Sequence, residues 1–197
     1  MIRRHPTRVA VLAGALTAFA VLTVVVLGFQ VDGWDRAALR AMERLHGPTL
    51  TGVMCRVTAL GSWVWLLPVT LLTMAALILL RRLRATLFVG LAVGGAEALQ
   101  NLAKVVFGRP RPSLFPHLDH VTSAAYPSGH AAVSSALALA LAAVLWHTRW
   151  RIAVVVGGAA YTLAVSFSRV YLGVHYPSDV LAAWLLSVAW VSLLWLL

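Results

Sequence analysis

Six apolar runs, at about 9–29, 60–80, 85–107, 130–146, 152–170 and 180–197, divide this chain. Each approaches the roughly 20 residues that a helix needs to cross a bilayer. Of the 197 residues, 61% are hydrophobic and only 11% are charged, against about 25% charged in an average soluble domain; the mean hydropathy is +0.87. The expected architecture is all-α: a polytopic membrane protein with six transmembrane helices in a single bundle, one domain over residues 1–197, with a short interfacial helix. Arg3, Arg4 and Arg8 precede the first run as they would a secretory signal. Its apolar stretch is longer than the about 7–15 residues of a signal core, and no small-x-small cleavage site follows in LGFQVDG, so it is expected to stay as an anchor. The single cysteine, Cys55, excludes an internal disulfide.

Six spans put both termini on one side, with the RRLR loop (81–84) and the HTRWR loop (147–151). That side has eight cations (Arg3, Arg4, Arg8, Arg81, Arg82, Arg84, Arg149 and Arg151) and no acid. The other side also has eight (Arg36, Arg40, Arg44, Arg56, Lys104, Arg109, Arg111 and Arg169), together with Asp32, Asp35, Glu43, Asp119 and Asp179. The positive-inside rule counts cations. Once those committed to a site are discounted, the first side is cytoplasmic and the site faces the extracytoplasmic side of the plasma (inner) membrane. The net charge of +10 is spread in short clusters between apolar runs, so nucleic acid is not an expected partner. In DGWDRAALRAMERLHG, Trp34, Ala38, Leu39, Met42 and Leu45 fall near one helical face and Arg36, Arg40, Glu43 and Arg44 away from it. This spacing fits a short helix in the interface plane or an ordinary solvated connector, with no chemistry assigned to it.

Three stretches break the apolar pattern, all at span ends on the same side: KVVFGRPRP (104–112), PSGH (127–130) and SRVYLGVHYPSD (168–179). Lys104, Arg111 and Arg169 supply cations, and guanidinium forks match phosphate oxygens. Ser128 and the Gly129 amide lie at a helix start, where free N–H groups and the helix dipole favour an anion. His175 and Asp179, four apart, share a face if a helix begins near His175, and Pro177 suits that start. A carboxylate on one ring nitrogen leaves the lone pair of the other free as a nucleophile. His130, just after the anion-binding turn, suits protonation of a leaving oxygen. Each piece alone has a plain alternative, such as a cation snorkelling to the interface; their coincidence on one side argues for a phosphate site.

At these residues the chain resembles the type 2 phosphatidic acid phosphatase superfamily of integral-membrane lipid phosphatases. The signature K-x6-R-P, P-S-G-H and S-R-x5-H-x3-D is complete as Lys104 with Arg111-Pro112, as Pro127-Ser128-Gly129-His130, and as Ser168-Arg169 with His175 and Asp179. GRPRP contains two Arg-Pro pairs, and the spacing of the signature selects Arg111 over Arg109. The resemblance implies a hydrolase that uses neither metal nor cofactor and passes through a phosphohistidine. His175 then attacks phosphorus, Asp179 orients it and His130 protonates the leaving oxygen. Lys104, Arg111, Ser128, Gly129 and Arg169 hold the phosphoryl oxygens. The implied partners are the bilayer and a phosphorylated lipid, with undecaprenyl pyrophosphate ahead of phosphatidylglycerophosphate, phosphatidic acid and diacylglycerol pyrophosphate. A lipid phosphotransferase and a non-enzymatic phospholipid carrier stay open as alternatives, the carrier disfavoured because binding alone needs no pair of histidines.

Glu97, Gln100, Asn101 and Lys104 follow an i, i+3, i+4, i+7 pattern, a polar stripe within the third run. Glu97 is a supporting position, either helping Lys104 or lining a polar route beneath the site; an interhelical hydrogen-bond stripe explains the pattern equally well. His117, Asp119 and His120 in FPHLDH are too few and too loop-bound for a metal site and read as a rim facing headgroups.

Overall fold

Apolar sequence closes its backbone hydrogen bonds locally where water is absent, and every apolar run here forms helix. The computed structural model describes residues 6–28 and 33–197. Arg3, Arg4, Phe29 and Asp32, used in the sequence reading, lie outside them. Helix α1 (Pro6–Thr23) runs on into a π-helical turn (Val24–Gly28). It is followed by α2 (Gly33–Glu43), α3 (Pro48–Leu60), α4 (Trp63–Leu79), α5 (Leu83–Phe107), α6 (Gly129–Leu145), α7 (Arg151–Tyr171) and α8 (Pro177–Leu194). The described residues contain no strand. Pro6–Gly28, Arg151–Tyr171 and Pro177–Leu194 are each long and apolar enough to cross a membrane; α3 and α4 together make a further pair bent by 42°. The apolar α6 is shorter, at 17 residues, and α5 carries the Glu97–Lys104 polar stripe in its second half.

Helix α6 sits at the centre, packed against α5, α7 and α8. Its Ala131, Ala132, Ala136 and Ala140 are fully buried, because small side chains let helices approach closely in lipid. Its hydroxyls are satisfied without water: Ser134 and Ser135 donate back to the carbonyls of His130 and Ala131. Polar ties also cross between helices, Ser187 Oγ donating to Ala132 O at 2.8 Å and Trp190 Nε1 to Leu91 O at 2.9 Å. Large apolar side chains such as Leu72, Leu79, Val105 and Ile152 point outward, an arrangement suited to lipid and costly in water.

Two local features differ from the sequence reading. The second run begins with an elbow at Gly61 and Ser62, preceded by a helix, α3, that the apolar pattern did not mark. Pro48 starts α3 at a position where its missing N–H costs nothing. On α2 the buried residues are Asp35 and Leu39, with Met42 half-buried, whereas Trp34 and Leu45 are exposed. The side packed on the bundle is thus Asp35–Leu39–Met42, with a buried charge that the sequence reading did not place, while Trp34 and Leu45 face outward.

Candidate active site

Helix ends converge at one side of the bundle because each is stopped by a local signal. Gly108, in the left-handed region at φ 57°, caps α5 by donating to Lys104 O and releases the chain into the segment carrying Arg109 and Arg111. Ser128 stands at the N-cap position of α6 with its hydroxyl making no capping bond, and its own N–H donates to Asp179 O at 3.1 Å, fastening the turn to α8. Helix α8 begins at Pro177, and Asp179 Oδ2 accepts the Tyr176 N–H at 2.9 Å, an acid in a first turn where the dipole favours it. The connection from α7 to α8 turns at Gly173, φ 73°, where a Cβ would strike the Phe115 ring.

These ends enclose a cavity of about 300 Å³ lined by Lys104, Arg111, Gly129, His130, Arg169 and His175. His175 is 1% exposed. Its Nδ1 faces Asp179 Oδ2 at 3.4 Å, and its Nε2 lies 3.2 Å from Arg111 Nη1. A guanidinium can only donate, so Nε2 accepts and the ring proton belongs on Nδ1, toward Asp179. Burial first, then the charges of Arg169, Arg111 and Lys104, hold the ring well below the usual histidine range, which keeps it neutral near neutral pH.

Backbone carbonyls fix the cations. Lys104 Nζ donates to Ala124 O at 2.6 Å. Arg111 donates to Ser123 O at 2.8 Å and to Val174 O at 2.6 Å. Burial and then the charge of Arg169 lower Arg111 to about 10, still charged at neutral pH. Neither Lys104 nor Arg111 has a carboxylate within ion-pair distance among the described residues. Arg169, 1% exposed, donates from Nη1 to Thr58 Oγ1 at 2.7 Å and to Asp119 Oδ2 at 2.5 Å. Its Nε, and Ser128 Oγ, are buried donors with no hydrogen-bond partner among the described residues. Ser128 itself does not line the cavity, though Gly129 next to it does; an unspent donor on a cation that lines it is what an oxyanion with several acceptor oxygens would use.

His130 packs against the α3–α4 elbow, where a Cβ on Gly61 would come within 3.3 Å of its ring. Glu97 accepts from Gln100 at 3.0 Å and from Asn101 at 2.9 Å, and all three line the same cavity. Glu97 makes no direct bond to Lys104, whose ammonium goes to Ala124 instead. A larger, mostly apolar groove of about 820 Å³ between α1, α6, α7 and α8 contains none of the residues singled out from the motifs.

Three residues acquire places that sequence reasoning did not assign. Asp119 turns from its loop into the cavity to meet Arg169. Arg109 lies behind the cavity between Asp179 (2.5 Å) and Asp35 (3.0 Å). Burial opposes its charge, but these two carboxylates prevail and raise it above the usual arginine value. Asp35, from α2, is fully buried. The sequence signals for these three were weak: a second Arg-Pro in GRPRP, an acid in a loop, and an acid on the apolar side of an amphipathic helix.

Known proteins extend the likeness beyond the motifs. The profile of the PAP2 superfamily matches residues 85–197. The chain is 32% identical over 191 residues to the undecaprenyl-diphosphatase of Sulfolobus acidocaldarius, covering 91% of this chain and 86% of that one. To the phosphatidylglycerophosphatase B of Bacillus subtilis it is 29% identical over 175 residues, covering 86% of each. The fold matches the crystal structure of a transmembrane PAP2 type phosphatidylglycerolphosphate phosphatase from Bacillus subtilis with a TM-score of 0.85, at 27% identity and over 93% of both chains. Alike in sequence to these phosphatases along most of its length and in backbone along nearly all of it, the chain belongs to the PAP2 superfamily as an integral membrane protein.

Proposed function

We propose that the protein is a lipid phosphatase that hydrolyses a phosphomonoester or diphosphate, undecaprenyl pyrophosphate first among the candidates, through a phosphohistidine on His175. One observation carries this reading: a buried His175 with Asp179 at one ring nitrogen and Arg111, among the cations of the cavity, at the other. In the first step Nε2 bonds to phosphorus as the phosphorus–oxygen bond to the leaving group breaks, and His130 gives that oxygen its proton. In the second, water attacks phosphorus, His130 takes the water proton, and the phosphorus–nitrogen bond returns its electrons to Nε2. Lys104, Arg111, Arg169, Ser128 and the Gly129 amide hold the charge that builds on the equatorial oxygens. The scheme uses no metal and no cofactor.

Supporting undecaprenyl pyrophosphate is the named activity of the Sulfolobus relative; the Bacillus relative is named for phosphatidylglycerophosphate, which stands second with phosphatidic acid. The proposed topology is a single domain over residues 1–197 with six spans, α1, α4, α5, α6, α7 and α8. Both termini are cytoplasmic and the cavity opens on the extracytoplasmic side of the inner membrane. The outward Trp34 of α2, and Leu45 just after it, suit a helix in the interface plane.

The test is phosphate release by the purified chain in detergent from undecaprenyl pyrophosphate, phosphatidylglycerophosphate, phosphatidic acid and diacylglycerol pyrophosphate, with EDTA present. Release by wild type and none by His175→Ala is the expected result. Equal release by the variant, or loss of all activity to EDTA, overturns the scheme.

A further inference from the structure

Behind His175, outside the lining of the cavity, stands a helix that the reaction, as written, does not use. Helix α2 is otherwise a charged surface helix, yet Asp35 is fully buried and both its oxygens are engaged. Oδ1 accepts the Ser178 N–H at 2.9 Å, and Oδ2 accepts Arg109 Nη2 at 3.0 Å and the Ser178 hydroxyl. Arg109 stacks on the Tyr176 ring at 4.2 Å and donates from Nη1 to Ser178 Oγ at 2.7 Å and to Asp179 Oδ1 at 2.5 Å. Asp179 Oδ2 is the oxygen that faces His175. A continuous path thus runs from Asp35 through Arg109 and Asp179 to the histidine ring.

Counting charge along this path shows what Asp35 supplies. Arg109 alone would cancel Asp179, leaving a neutral pair behind the ring. With Asp35 the three groups total one negative charge, on the side of His175 opposite the cavity cations Lys104, Arg111 and Arg169. When Nε2 bonds to phosphorus, the imidazole gains positive charge while its Nδ1–H points at Asp179. A neutralised Asp179 would stabilise that charge poorly in a site where charges are little screened. We propose that Asp35 is a positioning residue for catalysis: by occupying Arg109 from behind, it leaves Asp179 free in charge and fixed in direction for His175. This inference rests on the phosphohistidine reading above. It also makes α2 part of the working site, since the helix at the proposed interface is pinned to the start of α8 by the same carboxylate.

A carboxylate at the start of α8 could serve only as a cap for Ser178, and the test separates that role from the proposed one. Asp35→Asn keeps an acceptor for the Ser178 N–H while removing the charge. Wild type, D35N, R109Q, D35N/R109Q and H175A are purified full length and assayed on the lipid that wild type turns over fastest. D35N is expected to lower kcat by about tenfold or more, as loss of an outer partner commonly does, with KM within about twofold because Asp35 is remote from substrate. In the R109Q background the same change is expected to alter kcat by less than about twofold, since its path is already cut. A pure cap gives equal losses in both backgrounds; that result, or a D35N kcat near wild type, overturns the proposal. If D35N alone does not fold, R109Q against D35N/R109Q still decides, a loss of about tenfold between them counting against it. Activity in H175A would instead overturn the phosphohistidine reading underneath.

Discussion

Asp119→Asn is expected to tighten binding of phosphate analogues, because the Asp119 carboxylate already sits on Arg169, a cation proposed to hold the phosphoryl group. Its Oδ2 lies 2.5 Å from Arg169 Nη1, with Asp119 34% exposed and Arg169 2% exposed at the side chain. Two unit charges about 4 Å apart interact by roughly 4 kcal/mol at an effective dielectric constant of about 20. A third of Asp119 is in contact with solvent, and asparagine keeps a neutral oxygen for the same hydrogen bond. The net release on substitution therefore falls to about 1–2 kcal/mol, or about 5- to 30-fold in affinity. Inhibition by orthovanadate, titrated at fixed ionic strength for wild type and D119N, measures this directly. The gap should narrow as salt is raised, since the exposed part of the pair is screened. Equal or weaker inhibition of D119N refutes the reasoning and makes Asp119 a support that holds Arg169 in place.

The pH profile carries a signed expectation. In the proposed scheme His175 attacks as the neutral ring, and burial with the surrounding cations holds its pKa well below 6.5. With the substrate's own phosphate ionisation accounted for, kcat/KM should stay level as pH falls through 6.5 and decline only in more acidic solution; an acid limb at or above 6.5 contradicts this. The same depression withdraws stability in acid, because an unfolded histidine takes a proton near 6.5 that the buried ring refuses. Gly173→Ala places a Cβ at φ 73° against Phe115, two residues before His175. A cost of about 1–3 kcal/mol, hence a thermal midpoint lower by several degrees, should come with reduced kcat; an unchanged midpoint and rate show that the turn relaxes freely.

How much of this was legible in the sequence depends on whether the signal was local. The apolar runs showed six of the eight α-helices among the described residues, since hydropathy registers each residue separately. Helix α3 escaped because PTLTGVMCRVTAL mixes polar and apolar residues, so its existence depends on packing against α7. The motif positions were likewise visible one by one, as types at fixed spacing. The structure brings Lys104, Arg111, Gly129, His130, Arg169 and His175 to one cavity, with Asp179 directly behind His175. Helix ends on one side of a bundle have nowhere else to converge.

What stayed hidden were partnerships between distant charges. Spacing within GRPRP ranks Arg111 above Arg109 and stops there. It says nothing of the fact that Arg111 donates to His175 from the cavity while Arg109, two residues earlier, reaches Asp179 from behind. Amphipathic periodicity on α2 sorts residues by polarity, and so gives no role to a buried aspartate that lies among the apolar residues of one face. Only a cation contributed from the α5–α6 connection makes that burial tolerable, because a buried charge without a partner is costly. Arg109 answers two carboxylates from two helices, and it is buried on that account. In the proposed scheme the cations in front of His175 attract the phosphate, whereas the anions behind it let the ring accept the phosphoryl group. A pattern of residue types identifies the first group readily, because those side chains must meet a ligand of fixed shape. It identifies the second poorly, because charge balance behind a nucleophile can be met from any helix that happens to pass.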